Sequence, residues 1–290
     1  MKNIGLFYAL SAYFLWGLFP VFWIQLSQVD SLQVVMHRMV WSCLLAVTFI
    51  VFTQQWRECL AIIKQKNTCI RLLLSSLLIS VNWATFIWAT QNEKITEASM
   101  GYFIAPLLSL FLGVLLFKER VSKAQLLSVA LVAIAVLYLV FIYGQPPYLA
   151  LTLAASFSCY GAIKKSITIP AIQGMGIETA FMLIPASVYL VYIEIGGTGV
   201  FGHDTYTDSL LILGGVFTLT PLLLFSAAAK KLSLTTLGMT QFLGPSIQLV
   251  VAVFLYDEPF SVEQIVSFGL IWCALVIYSY DQYFSRSKVV

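Results

Sequence analysis

The sequence has little charge and few groups that could perform chemistry. Of its 290 residues, 10% are charged, 60% are hydrophobic and two are histidines. Because so little polar surface cannot cover a globule, the composition excludes a soluble domain, and no nucleic-acid partner is expected. The five cysteines form no CxxC pair and lie apart from the histidines. They predict apolar packing rather than a metal or redox site, and no cofactor is expected.

Long apolar runs dominate the chain instead. Runs of around 20 apolar residues are each long enough to cross about 30 Å of hydrocarbon as a helix. The sequence therefore predicts an all-α membrane protein with ten transmembrane helices, joined by short loops. The spans are about 4–26, 31–53, 70–91, 96–117, 123–142, 146–166, 175–195, 208–230, 234–256 and 261–283. The N-terminus lacks a small-residue cleavage site after its first run, so no cleaved signal peptide is expected.

The basic residues predict the orientation. Of the 16 lysines and arginines, 14 lie in segments on the same side as the N-terminus. The exceptions are Lys94, in a loop on the other side, and Arg38, within a span. Since basic loops stay in the cytoplasm, both termini are expected there, in a multi-pass protein of the inner (plasma) membrane.

One stretch of the chain occurs twice. Residues 101–141, laid without gaps on residues 240–280, match at 11 of 41 positions. The informative matches are proline or polar pairs at an offset of 139: Pro106/Pro245, Glu119/Glu258, Ser122/Ser261, Gln125/Gln264 and Ser128/Ser267. We interpret this as an internal duplication.

The duplication predicts two five-helix halves, residues 1–144 and 145–290. Because five is odd, the second half crosses the membrane in the opposite sense, so the halves are inverted repeats. Two inverted half-bundles that rock about a central site are typical of alternating access.

The matched prolines indicate where that site lies. Pro106 and Pro245 fall near the middle of spans four and nine, and each frees the carbonyl four residues earlier, on Tyr102 and Gln241. Irregular backbone at that depth faces protein or a water-filled cavity. The alternative is a packing kink without a ligand.

Polar and aromatic residues in other spans are further candidates. Asn82 is unfavourable in lipid and should face a helix or a cavity, either as structural glue or as a ligand contact. Trp88 is also a candidate, although an aromatic belt at the interface explains a tryptophan there equally well. Trp16-Gly17 and Tyr160-Gly161 hold equivalent places in the two repeats.

His37 and Arg38 are the histidine and arginine found well inside a span. Arginine at that depth must snorkel, pair with an acid such as Glu93 or Glu97, or contact an anionic group of a substrate. His37 could serve as a proton relay, although a lone histidine is more often a neutral hydrogen-bonded group.

The conspicuous acids predict loop structure. Glu119 and Glu258 precede Ser122-Lys-Ala-Gln125 and Ser261-Val-Glu-Gln264, which are capping boxes at the start of spans five and ten. We interpret these acids as loop anchors. No carboxylate is expected at mid-membrane, since Glu178 and Glu194 lie near the ends of span seven, so coupling to protons or sodium lacks an obvious carrier.

Several ordered strings resemble a known family. The two proline-containing spans, each followed by Lys-Glu or Asp-Glu-Pro and a serine cap, resemble the EamA repeat of the drug/metabolite transporter superfamily. Four further strings resemble its RarD subfamily: Asn82-Trp83 with Trp88-Ala89, Ala98 to Pro106, Pro221 to Lys230, and Gln241 to Pro245. The resemblance implies a ten-helix inner-membrane transporter with a central cavity lined by both halves, exporting or exchanging small metabolites or drug-like compounds. It also adds Pro221 to the candidate site residues.

The leading hypothesis is a secondary transporter of a small polar or amphipathic solute. The chain carries no ATP-binding motif, so gradients would drive transport, by a monomer or a homodimer. The solute would be bound by Asn82, Tyr102, Tyr160 and Gln241, with Arg38 facing an anionic group. The alternatives are a polytopic scaffold or receptor and, less favoured, an intramembrane enzyme, which would need clustered acids or a His–Glu metal site.

Overall fold

The computed structural model describes residues 2–118, 121–144, 146–232 and 234–286. Within these ranges every regular element is helical, which confirms the all-α prediction. A 3-10 turn at Ile24–Leu26 follows α2. The helices are α1 (Lys2–Gly17), α2 (Phe19–Trp23), α3 (Ser31–Phe52), α4 (Trp56–Ile63), α5 (Lys66–Gln91), α6 (Ile95–Phe117), α7 (Lys123–Tyr143), α8 (Tyr148–Ser166), α9 (Ala171–Ile195), α10 (Thr205–Ala229), α11 (Leu234–Gln241), α12 (Leu243–Leu255) and α13 (Val262–Arg286).

In the described residues, ten helical spans form the bundle. Eight of them are long and apolar enough to cross a membrane by length and composition. The other two are span six, helix α8, and span nine, which is split into α11 and α12. Helix α8 ends in Lys164 and Lys165, which lowers its hydropathy, while the break at Phe242 leaves two short helices. Both spans pack among the other eight.

The packing of the helices follows the repeat. Helix α1 packs on α10 and α12 as α8 packs on α5 and α6, and α3 packs on α10 as α9 packs on α5. The pairs α3 with α9, α6 with α12, and α7 with α13 join equivalent helices of the two halves. Exchanging the halves therefore reproduces the same set of neighbours, as expected for two inverted five-helix repeats. We call the end of the bundle where α1 begins the proximal end and the opposite end the distal end.

The outer surface of the bundle is apolar. Large hydrophobic side chains such as Phe52, Phe141 and Phe254 are at least 80% exposed. A soluble protein rarely exposes such residues in numbers, whereas lipid tails accommodate them. The buried core instead lies between the helices, with the largest cluster formed mainly by α1, α3, α5, α8 and α10.

Both predicted capping boxes are confirmed. Ser122 and Gln125 exchange side-chain and backbone hydrogen bonds at the start of α7, and Ser261 and Gln264 do so before α13. Glu119 lies outside the described residues. The polar stretch between spans two and three, which the sequence indicated to be a loop, contains helix α4. Its Ile62 packs in a small cluster with α5 and α9, and this burial stabilises a helix that hydropathy alone does not reveal.

The two matched prolines act differently. Helix α6 continues through Pro106. In span nine, by contrast, the helix is interrupted at Phe242 and restarts as α12, of which Pro245 is the third residue. Proline is tolerated in the first turn of a helix because its missing donor would be unpaired there anyway. The backbone irregularity near the centre of the bundle therefore lies mainly in the second repeat.

Candidate functional site

A cavity lies at the centre of the bundle, where the two halves meet. Its volume of about 40 Å³ has room for a few water molecules, so a larger solute can enter only if the helices separate. The lining residues come from both repeats: Tyr13, Trp16, Phe19, Asn82, Trp83, Phe86, Tyr102, Phe157, Gln241, Gly244, Pro245 and Gln248.

Half of the ten residues predicted to bind a solute line this cavity. They are Trp16, Asn82, Tyr102, Gln241 and Pro245. The structure therefore brings together the polar candidates from spans three, four and nine with an aromatic residue from span one. Their contact with a solute stays a prediction.

The other candidates lie elsewhere. Tyr160 is fully buried beside the cavity, where its ring packs on Phe157 and Phe225. Pro106 lines a separate crevice between α6, α7 and α13, and Pro221 is buried within α10. Trp88 is 44% exposed, and it faces the outside of the bundle in a shallow depression beside Asp30 and Leu149.

Asn82 joins three helices at the cavity wall. Its Nδ2 donates to the Leu153 carbonyl oxygen at 3.1 Å and to Ser156 Oγ at 3.0 Å. Its Oδ1 accepts a hydrogen bond from the Tyr102 hydroxyl at 2.9 Å. Because an amide group has two donor hydrogens and both are used, Asn82 fixes α5 against α8 and positions the Tyr102 ring.

Two glutamines of span nine are less completely bonded. In the described part of the chain, Gln241 Nε2 and Gln248 Oε1 are buried without a hydrogen-bond partner, and so is the hydroxyl of Tyr13. Gln248 Nε2 donates to the carbonyl oxygen of Trp16 at 3.1 Å. Buried polar atoms are rarely left unpaired. The cavity therefore offers both a donor and an acceptor that a bound molecule can satisfy.

Arg38 lies next to the cavity in a cage of aromatic rings. Its side chain is 2% exposed, and its Nε donates a hydrogen bond to Thr218 Oγ1. The guanidinium carbon lies 4.1 Å from the ring centre of Trp83, 4.9 Å from that of Trp23 and 5.7 Å from that of Phe19. These are cation–π distances.

Arg38 pairs with neither of the acids that the sequence suggested. Among the described residues the single ion pair joins Lys164 and Glu178. Neither Glu93 nor Glu97 therefore compensates the positive charge of Arg38. Its Nη1 is buried without a hydrogen-bond partner. The preceding residue, His37, stacks on Phe201 at 5.2 Å and does not line the cavity.

A second buried charge lies towards the proximal end. Glu178 is 2% exposed, and both of its carboxylate oxygens are 3.0 Å from Lys164 Nζ. Ser75 Oγ also donates to Glu178 Oε1, which links the first repeat to the second. Sequence reasoning placed Glu178 near a span end and missed its burial.

Glu258 links the repeats at the distal end. Its carboxylate accepts hydrogen bonds from the backbone N–H groups of Ile95 and Thr96, both at 2.8 Å, and from Thr96 Oγ1 at 2.7 Å. Helix α6 has no capping side chain of its own, because the N-cap position is Lys94. Glu258 therefore caps α6 from the other repeat, where its charge also matches the helix dipole.

Several lining residues were not predicted. Gln248 carried a usable signal, since it is a polar residue in an apolar run, seven positions after Gln241 and hence on the same helix face. Phe86 carried a signal as well, since it lies four positions after Asn82 and hence on the same helix face. The rings of Tyr13 and Phe157 carried none, because an aromatic residue in a membrane helix can face either lipid or protein.

Comparison with known proteins gives matches over most of the chain. A model of the EamA-like transporter family matches residues 3–141. The "Uncharacterized transporter YojE" of Bacillus subtilis is 38% identical over 283 residues, which cover 96% of this chain and 94% of that protein. "Protein RarD" of Escherichia coli is 37% identical over 285 residues, covering 98% and 96%. A crystal structure of another protein superposes over 100% of both chains with a TM-score of 0.67 at 14% identity, a likeness of fold alone.

Proposed function

Because this chain belongs to the EamA-like transporter family, in its RarD group, and is a multi-pass membrane transporter, we propose that it is a secondary transporter that works by alternating access. It exports or exchanges small organic metabolites or drug-like compounds across the inner membrane. The two halves, residues 1–144 and 145–290, rock about the central cavity. The proximal end faces the cytoplasm, in keeping with the basic residues there.

The observation that carries this proposal is the position of the cavity. It lies between the two proposed halves, whose helices have equivalent neighbours, and helices of both halves supply its lining. Opening one end of such a bundle creates a shape that is equivalent to opening the other. A cavity at the symmetry centre is then reached from either side in turn.

Polar contacts between the repeats at both ends support the same proposal. Glu258 holds α6 at the distal end, and Ser75 donates to Glu178 towards the proximal end. With both sets formed, the enclosed space is too small for an organic solute. We propose that the contacts at one end break while those at the other persist, so that the cavity opens to one side at a time.

The lining suits binding rather than bond making. Aromatic rings provide apolar contact area, and a few amide and hydroxyl groups fix the orientation of a solute. We propose Gln241, Gln248, Tyr102 and Trp16 as direct contacts. Asn82 positions Tyr102, and no enzyme activity is proposed.

Counterflow in proteoliposomes tests the proposed function. Vesicles containing the purified protein are loaded with an unlabelled solute, and entry of the labelled solute is followed for a panel of amino acids, organic acids and amphipathic drugs. We expect at least one solute to exchange, and Gln241→Ala to slow that exchange. Phe254→Ala, on the same span but 80% exposed, is the matched control and should exchange as the wild type does. Equal rates for Gln241→Ala and the wild type would remove the central-cavity assignment.

A further inference from the structure

The positive charge of Arg38 has no counter-ion within the described part of the protein. The ion pair there joins Lys164 and Glu178, and Arg38 is almost completely buried. A buried charge without a partner is strongly destabilising, and an ionisable residue at this depth in a membrane protein points to a functional site. The fold therefore retains an unfavourable charge at this position.

The guanidinium is held by one hydrogen bond and by aromatic rings, and its Nη1 group has no partner in the described part of the protein. Thr218 accepts the hydrogen bond from Nε, and the rings of Trp83 and Trp23 lie within 5 Å of the guanidinium carbon. Aromatic faces compensate part of the charge. They accept no conventional hydrogen bond, however, and Nη1 remains without a partner. A planar guanidinium arranged in this way matches the geometry of a carboxylate.

The cage of Arg38 is also part of the cavity wall. Trp83 and Phe19 contact the guanidinium and line the cavity. The charge therefore reaches the cavity across a single layer of side chains. Because the surroundings are apolar, its field is screened far less than it would be in water.

Resting on the transport function proposed above, we infer that the solute is an organic monoanion, a carboxylate attached to an apolar or aromatic body. When the helices separate to admit the solute and the layer formed by Trp83 and Phe19 is displaced, the carboxylate compensates Arg38 and accepts from Nη1, while the body packs on the aromatic lining. The free Nε2 of Gln241 and Oε1 of Gln248 bind polar groups of the body. A single arginine compensates one negative charge, so a dianion such as a phosphate ester would keep an uncompensated charge in a dry site and is disfavoured.

Binding of matched pairs of compounds tests the inference. The purified wild-type protein in detergent is titrated with cyclohexylacetate, phenylpropionate and hexanoate, and with the amide of each, using quenching of tryptophan fluorescence. We expect each carboxylate that binds to do so about tenfold or more tightly than its amide, which corresponds to the strength of one buried charge-assisted hydrogen bond.

Two substitutions of Arg38 assign the preference to this side chain. Arg38→Met should bind the amides as well as the wild type does and lose the preference for carboxylates. Arg38→Lys, which keeps the charge without the planar fork, should retain part of it. Lys94→Met removes an exposed positive charge at the same end of the bundle and should leave the preference unchanged. Thermal unfolding of each variant shows whether it is folded.

The inference and the transport function fail in different ways. A wild type that binds the amides as tightly as the carboxylates, that binds none of the carboxylates, or whose preference survives in Arg38→Met overturns the inference. If neutral solutes nevertheless exchange in vesicles, the transport function stands without it. Absence of counterflow for every solute that binds would instead remove the transport function.

Discussion

Arg38 and Glu178 occupy equivalent places in the two repeats but have opposite surroundings. Each is the eighth residue of its helix, α3 or α9, and the two helices pack against each other. Because equivalent helices run in opposite directions, Arg38 lies towards the distal end and Glu178 towards the proximal end. Glu178 is paired with Lys164, whereas Arg38 has aromatic rings and one hydroxyl around it.

The glutamines five positions before Arg38 and Glu178 make equivalent contacts in the two repeats. Gln33 and Gln173 are the third residues of the same two helices. Gln33 Nε2 donates to the Thr198 carbonyl oxygen at 2.9 Å, and Gln173 Nε2 donates to Gln55 Oε1 at 2.6 Å, so each amide joins the two halves at its own end. Structural ties are thus alike in both repeats, while the buried charges differ. The difference supports a structural role for Glu178 and the proposal that Arg38 compensates a bound anion.

The largest expected effect comes from breaking the paired charge. Glu178→Ala leaves the Lys164 ammonium buried without a counter-ion, which should lower the free energy of unfolding by about 3–5 kcal/mol. Replacing both residues by Met removes the pair without leaving a charge and should change stability by about 1 kcal/mol or less. Thermal and denaturant unfolding in detergent measure both.

Arg38→Met should not destabilise the protein, in contrast to Glu178→Ala. Arg38 is not paired with an acid in the described part of the chain, so replacing it leaves no buried negative charge without a partner. This variant should therefore unfold at the wild-type temperature or above it. If Arg38→Met is as unstable as Glu178→Ala, Arg38 serves the fold, and its contrast with Glu178 disappears.

A smaller effect on stability is expected for the two cavity amides, Asn82 and Gln241. One of them is fully hydrogen-bonded within the protein and the other is not, as with Glu178 and Arg38. Asn82 has its three hydrogen bonds within the protein, so Asn82→Ala should destabilise by about 1–3 kcal/mol. Gln241 Nε2 has no partner among the described residues. Gln241→Ala loses no hydrogen bond from Nε2 and should therefore destabilise less than Asn82→Ala does, and still weaken solute binding roughly tenfold.

Measuring both the free energy of unfolding and solute binding for each variant distinguishes the role of Asn82 from that of Gln241. Tyr102→Phe removes only the hydroxyl from which Asn82 accepts a hydrogen bond, and it is the control for Asn82→Ala. A Gln241→Ala protein that is destabilised but binds normally would contradict its role as a solute contact.

The sequence predicted the fold and several residues that line the central cavity. Hydropathy located the spans, and the repeat revealed their symmetry, because both are properties of the chain itself. Asn82, Tyr102 and Gln241 were found because polar groups in apolar spans, or next to a freed carbonyl, must face inwards.

The partners of the buried charges could not be found in this way. Arg38 donates a hydrogen bond to Thr218, 180 residues away, and Glu178 accepts one from Ser75, 103 residues away. Both contacts depend on which faces of distant helices pack together, and no local pattern determines that. The same reason applies to Trp88, since packing decides whether an interfacial tryptophan faces lipid or protein.

An exposed charge provides the smallest test, because water already solvates it. Asp204 caps α10, where its Oδ2 accepts from the Thr207 N–H at 2.8 Å and from Thr207 Oγ1 at 2.7 Å. These hydrogen bonds favour the ionised form and lower the pKa of Asp204 below its usual 3.8. A depressed carboxyl pKa contributes stability above the unfolded value, and the contribution is lost as the pH falls through the folded value. The wild type should therefore unfold at a slightly higher temperature than Asp204→Asn at about pH 6, and this gap should shrink as the pH is lowered from the unfolded pKa of 3.8 through the lower folded value. A gap that persists at the lower pH would show that the cap acts through its geometry alone, whereas the buried pair of Glu178 acts through charge.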